Sequence, residues 1–266
     1  MGSELRKKQI IPTAKYGKVF VDDGEEGEPK LLTSHRAIID DLNPDHVYSL
    51  MTKDYRIVQH EEQLAMFDEV VKSNPEFGAA QRAISLLNDG GKMEVKYRFP
   101  EVKMEIAEGD IVNPELIGRN SYDGGWRFTT MLGGYRVVCS NGLVVGKTIY
   151  MIKQFHYENL KIENIRVELD EAMHKFSIQT KLWESWVDRV TKYEEYEQVI
   201  NDMKLGQKEA EIVQEELNNP KNTVNGKLTM WLFYNIITAL ITHHSRSQAK
   251  RIAMEDRARR AFDRLK

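Results

Sequence analysis

From Lys92 to Gln154 apolar and polar residues alternate, and Gly, Asn and Asp interrupt the alternation repeatedly. Successive side chains fall about 100° apart on a helix and about 180° apart on a strand, so a period of two yields one apolar face only as a strand. The run therefore predicts an antiparallel meander of five strands: residues 93–99, 102–106, 116–120 and 126–132, then a hairpin from Tyr135 through Asn141-Gly142 to Ile152. Both Asn and Gly tolerate positive φ, so a type I′ turn is expected at Asn141-Gly142.

The flanks change period. Leu64, Phe67, Val70 and Val71 predict a helix over 61–72, and Ala80, Ala83, Ile84 and Leu87 a second over 79–87, stopped by Asn88-Asp89-Gly90-Gly91. Tyr55-Arg56-Ile57-Val58 reads as a short strand before them. After Tyr157 the period stays helical. One stripe runs from Ile162 to Trp186, shorter charged helices follow at 193–203 and 208–217, and residues 218–222 break the pattern. Residues 228–241 then form an apolar core helix and 245–266 a basic amphipathic one. The expected fold class is α+β, with a central antiparallel meander preceded by a helix pair and followed by a long helix and a helical C-terminal region. Residues 1–30 read as an acidic arm and loop that supplies little core, 31–217 as the α+β core domain, and 218–266 as the helical C-terminal region.

An apolar fraction of 41% with 30% charged residues is that of a globular chain. No window approaches 18 uncharged apolar residues and no apolar stretch follows the charged N-terminus, so neither a membrane span nor a secretory signal is expected. Cys139 is the single cysteine, which excludes an intramolecular disulfide and a cysteine-held metal and fits the cytoplasm of a host cell. The net charge of −3 conceals a split. Residues 219–266 hold ten Lys and Arg against three Asp and Glu, or +7; residues 1–218 hold 28 against 38, or −10. A basic tail on an acidic body suits an anionic partner or a neighbouring subunit. The last helix, with Met254, Ala258, Ala261, Phe262 and Leu265 on one side, is accordingly expected to dock on another copy and to be dispensable for the core.

Few motifs carry catalytic chemistry. The stretch from Ser140 to Thr148 ends like a phosphate-binding loop, but its spacing from Gly142 is one residue short and its sequel alternates like a strand. Glu94-Val95-Lys96 and Glu101-Val102-Lys103 match the acid-x-Lys portion of a metal-dependent nuclease, with Asp54 or Asp110 as the carboxylates that could complete it in space. The histidines are scattered, and the adjacent His243 and His244 diverge on a helix, so no zinc site is expected. No Gly-x-Ser-x-Gly elbow occurs, and Cys139 reads as a buried small hydrophobe. Neither a cofactor nor a catalytic residue is expected. What recurs is a row of cations on alternate positions: Lys96 and Arg98 opposite Val95, Tyr97 and Phe99; Arg127 opposite Trp126 and Phe128; Arg136 opposite Tyr135 and Val137. Lined up on one sheet face, these with Lys147 and Arg119 could follow a phosphate backbone while neighbouring aromatics stack on bases; the alternative is an ordinary solvated face.

Tyr55-Arg56-Ile57-Val58, Gly109-Asp110, Asn120-Ser121-Tyr122-Asp123-Gly124, the segment from Tyr135 through Cys139 and Asn141-Gly142 to Leu143, and the segment from Leu228 to Asn235 together resemble the phage- and plasmid-borne proteins grouped as domain of unknown function 932. The resemblance covers roughly residues 33–245 and implies a mobile-element setting. The element order is in turn similar to that of single-strand annealing proteins of the Rad52-like class, which implies a ring with a basic groove. The expected function is therefore binding of single-stranded DNA and promotion of strand annealing in recombination, by a cytoplasmic homo-oligomer without enzymatic activity. The rival is a phage-encoded inhibitor or scaffold that binds a host defence protein, and a metal-dependent nuclease comes third.

Overall fold

The computed structural model describes residues 10–265 apart from residues 23, 25–26, 137–140, 144–149, 158–159 and 175. Its first strands are β1 (Ala14–Gly17), β2 (Phe20–Val21), β3 (Lys30–Leu31), β4 (His35–Asp40) and β5 (Val47–Thr52), followed by helix α1 (His60–Ser73). The alternating run supplies β6 (Gln81–Leu87), β7 (Lys92–Arg98), β8 (Met104–Ala107), β9 (Asp110–Ser121), β10 (Phe128–Arg136), β11 (Asn141–Leu143) and β12 (Tyr150–Gln154). Helices α2 (Ile162–His174), α3 (Phe176–Val187), α4 (Tyr193–Met203), α5 (Gln207–Leu217), α6 (Met230–His244) and α7 (Gln248–Asp263) complete the α+β chain.

Strands β6 to β12 form one antiparallel sheet in the order β11-β10-β9-β7-β6, with β12 also on β10 and β8 also on β9. The central strand β9 is almost wholly buried, so the meander is covered on both faces. On one face Val95, Tyr97, Phe99, Val112 and Leu116 pack under Phe67 and Val70 of α1 and Ile165 and Leu169 of α2. Glu62 caps α1 by accepting the Gln59 backbone N–H at 2.9 Å. Further along α1, Gln63 donates to the carbonyls of Arg119 and Thr129, at 3.3 and 3.0 Å. Gly118 permits that approach, because a Cβ there would lie 2.8 Å from the Gln63 amide carbon. Strands β1, β4 and β5 make a separate three-stranded sheet around Ala14, Ile38, Tyr55 and Tyr122.

The structure revises four sequence-based expectations. Residues 79–87 are no helix: β6 pairs with β7 from Gln81 opposite Arg98 to Leu87 opposite Lys92. The breaker that reads as a helix stop is a hairpin turn, with Asn88 and Asp89 at φ 51° and 49°, and a segment of eight or nine residues is too short for period alone to separate helix from strand. One α-helix, not a pair, precedes the meander. Tyr55 makes only an isolated bridge to Tyr157, so 55–58 is not a strand. Asn141 and Gly142 lie inside β11, opposite Arg136 and Tyr135, so they are paired strand residues and not the turn itself; Cys139 lies outside the described residues. The N-terminal arm also contributes, since β1 pairs with β4 and the Pro12 carbonyl accepts the Tyr122 hydroxyl at 2.9 Å.

The last helix belongs to the core of its own chain. Met254, Ala258, Ala261 and Phe262 of α7 share one apolar cluster with Trp186, Phe233 and Tyr234, and Phe262 lies within 5.2–6.0 Å, ring centre to ring centre, of all three. No helix among the described residues is long and apolar enough to cross a membrane.

Candidate nucleic-acid interface

Register puts Glu94, Lys96 and Arg98 of β7 on the same side as Arg119 and Glu115 of β9. That side is neither an open basic surface nor a solvated one, because α7 lies over it. Arg119, 3% exposed, is enclosed by Glu94 (2.9 Å), Glu255 (2.6 Å) and Asp256 (3.5 Å). Lys96, 9% exposed, stands 4.0 Å from both Glu94 and Glu115. Arg98 pairs with the buried Glu115 at 2.6 Å and stacks 3.8 Å over the Tyr135 ring. All three hold internal carboxylates; Arg119 and Lys96 are closed off from a polyanion, while Arg98 keeps about a third of its side chain at the surface. The sequence pattern showed where they sit but not the four acids supplied by β7, β9 and α7. The backbone of Arg136, in β10, pairs with Val112; its side chain, like the whole of Lys147, lies outside the described residues. Of the six cations expected to contact DNA, Arg127 alone is described with an exposed side chain.

The same network takes up the first of the two acid-x-Lys matches. Both Glu94 oxygens are engaged by guanidinium groups, Oε2 by Arg119 at 2.9 Å and Oε1 by Arg251 at 2.6 Å. Burial would raise the Glu94 carboxyl, but Lys96, Arg119 and Arg251 outweigh it and hold it at about 2. Asp110 Oδ2 accepts the Trp231 indole N–H at 2.7 Å, and Asp54 is exposed in a turn. Among the described residues no group of three His, Cys, Asp or Glu side chains converges to hold a metal ion.

Arg127 opens a different site. The stretch Asn120-Ser121-Tyr122-Asp123-Gly124 builds the turn before it. Asn120 donates to the Val58 carbonyl at 2.8 Å, and Ser121 Oγ both donates to the Trp126 carbonyl and accepts its N–H, at 2.9 and 3.0 Å. Asp123 accepts the Gly125 N–H at 2.8 Å and pairs with Lys92 at 3.1 Å, while Gly124 takes φ 65°. The turn is thereby rigid, and it presents Trp126 and Arg127. The Arg127 guanidinium lies 3.8 Å over the Phe155 ring, and Phe155 stacks on Tyr157 at 5.6 Å with 28° between the planes. Phe155 and Tyr157 remain 52% and 51% exposed. Together with Tyr55, Trp126 and His156 they line a cleft of about 410 Å³. Gly125, Trp126 and Arg127 also line a neighbouring hollow of about 490 Å³, which continues past Lys153 to Arg259 and Arg260 of α7.

Sequence reasoning missed Phe155-His156-Tyr157. A signal existed in three ring-bearing residues directly after a strand, but a period-2 reading assigns them to faces and not to a rim. His156 stacks on Tyr55 at 5.2 Å, and burial lowers its imidazole to about 4; burial does the same for His60, which accepts from Asn120 at 3.0 Å and donates to the Gly90 carbonyl at 2.9 Å. Both folded values lie below the ordinary 6.5, so the unfolded chain binds more protons between pH 6.5 and 4 and stability must fall as pH drops through that window. Each histidine is expected to withdraw up to about 3 kcal/mol by pH 4. Urea midpoints at pH 7.5, 5.5 and 4.5 check this, and His156→Phe should flatten about half of the acid limb; a midpoint independent of pH would contradict it.

Comparison with curated proteins and with solved structures finds no match. The family model described as Domain of unknown function (DUF932) matches residues 47–265, from β5 through the last helix and including the whole turn that carries Trp126 and Arg127, and the chain belongs to that family.

Proposed function

We propose that the protein binds single-stranded DNA, with bases stacked in the aromatic cleft and a phosphate held by Arg127, and that it promotes strand annealing during recombination of a mobile element in the host cytoplasm. The observation that carries this reading is the Arg127–Phe155–Tyr157 stack beside Trp126, a ladder of half-exposed rings with a cation at one end. Rings take any base by its face, and each stacked base is worth about 1–3 kcal/mol. Binding of that kind leaves the pairing edges of the bases free, which is what annealing to a complement requires. Duplex DNA, with its bases already stacked, offers the rings nothing to hold.

Fluorescence anisotropy with a labelled thymidine oligomer and with the matching duplex is expected to show at least ten-fold tighter binding of the single strand. Phe155→Ala should weaken it about five- to hundred-fold, as loss of one stacked base implies, and Arg127→Gln should lower its salt dependence. Equal affinity for both substrates would sink the reading. Arg98 is the wrong residue for this test, since a glutamate there would face the buried Glu115 and perturb the fold.

A second reading, a scaffold or inhibitor on a host protein, is favoured by the apolar side chains exposed on and beside the small sheet, Leu42, Val47 and Leu50 among them. Binding to a host protein that is insensitive to salt, with no affinity for DNA, would select it.

A further inference from the structure

Where the end of α4 meets the last turns of α7, a basin of about 370 Å³ is lined by Asp202, Lys204, Arg257, Arg260 and Arg264. Four cations stand around one carboxylate. Two of them are committed to the fold: Arg257 donates to the Met203 carbonyl at 2.9 Å, one of those left without a partner at the end of α4, and Arg264 pairs with Asp202 at 2.9 Å. Lys204 and Arg260 are exposed and have no acidic partner among the described residues. Around Arg119 cations are met by acids; here like charges are gathered in a concavity, an arrangement that repels itself until an anion enters.

The basin is continuous with the candidate interface. Arg260 lines both the basin and the hollow that holds Lys153, and that hollow shares Trp126 and Arg127 with the aromatic cleft. Along this path α7 rises about 22 Å from Ala249 to Arg264 at 1.5 Å per residue, the length of several nucleotides of a single strand. We propose that the basin is a phosphate site that holds the sugar–phosphate backbone of the same strand whose bases stack in the cleft, so that the strand runs along α7 in a fixed direction. The proposal takes its ligand from the reading of the cleft; the basin itself stands on its own charge and shape.

The test compares thymidine oligomers of four and twelve nucleotides on the wild type and on the Lys204→Asn, Arg260→Gln double variant, with circular dichroism to confirm the fold. Asn is chosen because Lys204 has φ 48°, which Asn tolerates. The longer oligomer is expected to bind the wild type at least ten-fold more tightly than the shorter. The variant should lose most of that gain, with a slope of log affinity against log salt smaller by about 1.4 for two lost phosphate contacts, while its binding of the four-nucleotide oligomer falls far less. Unchanged binding of the twelve-nucleotide oligomer by the variant overturns the proposal, as does equal weakening of both lengths. Failure of both oligomers to bind the wild type would overturn the cleft reading and DNA as the ligand. Tripolyphosphate titrated alone then separates the two: binding lost in the variant sustains the basin as a phosphate site, and no binding removes it.

Discussion

A chain ending at Ser245 is expected not to fold. Deletion of residues 246–266 removes Met254 and Phe262, both essentially inaccessible to solvent, and strips cover from Trp186, Phe233 and Tyr234. Burial of two such side chains contributes about 4–5 kcal/mol. The deletion also takes Glu255 and Asp256 from around Arg119 and leaves that guanidinium uncovered over the sheet. Exposure of the apolar side chains that α7 covers adds to this, and the total approaches the whole stability of many domains, about 5–15 kcal/mol. Circular dichroism and a urea titration of the truncated chain check this directly; a cooperative transition near the wild-type midpoint would show that α7 is an appendage.

Arg119→Met is the second large effect. It leaves Glu94, Glu255 and Asp256 facing one another in a site with little water, still touched from the rim by Arg251 and Lys153. The expected loss is about 3–5 kcal/mol, a drop in Tm of roughly 10 °C for a chain of this size. The pH dependence separates electrostatics from lost packing. In the wild type the folded Glu94 carboxyl lies at about 2, below its ordinary 4.5, so its contribution is present above pH 4.5 and disappears as pH falls toward 2. Without Arg119 part of that contribution is gone already, with Lys96 and Arg251 left to hold Glu94, so the gap between variant and wild type should narrow below pH 4.5. Glu94→Leu added to Arg119→Met should recover part of the loss, because two apolar side chains replace a charge and its former partner. A single variant within 1 kcal/mol of the wild type at pH 7 would show that the cluster has no net stabilising effect.

Much of the fold was legible in local pattern. The meander, α1, the four helices from Tyr193 onward and the breaker at 218–222 follow from periods of 2.0 and 3.6 and from Asn, Gly and Pro placement, which act within a few residues of each other. Errors arose where the deciding partner is distant. Ala79 to Leu87 satisfies a helical spacing, but the free edge of β7 takes it as a strand. Asn141-Gly142 is a turn dipeptide by propensity, yet pairing with Arg136 and Tyr135 places it within β11.

The candidate site divides in the same way. Alternation assigned Lys96, Arg98, Arg127 and Arg136 to one face of the sheet, and the register shows Lys96 and Arg98 sharing a face, with Arg119 beside them. Whether that face meets water, DNA or protein depends on what lies above it. That is decided by α7, whose Glu255 meets Arg119 across 136 positions of sequence. The cleft depends on longer-range encounters still, bringing Arg127 and Trp126 from one turn together with Phe155 and Tyr157 from beyond β12 and Tyr55 from before α1. Which segments alternate, which coil and where charge accumulates are local properties, legible residue by residue. Which cations are neutralised and which rings remain open became legible with the packed chain, because ion pairing and burial are set by neighbours in space.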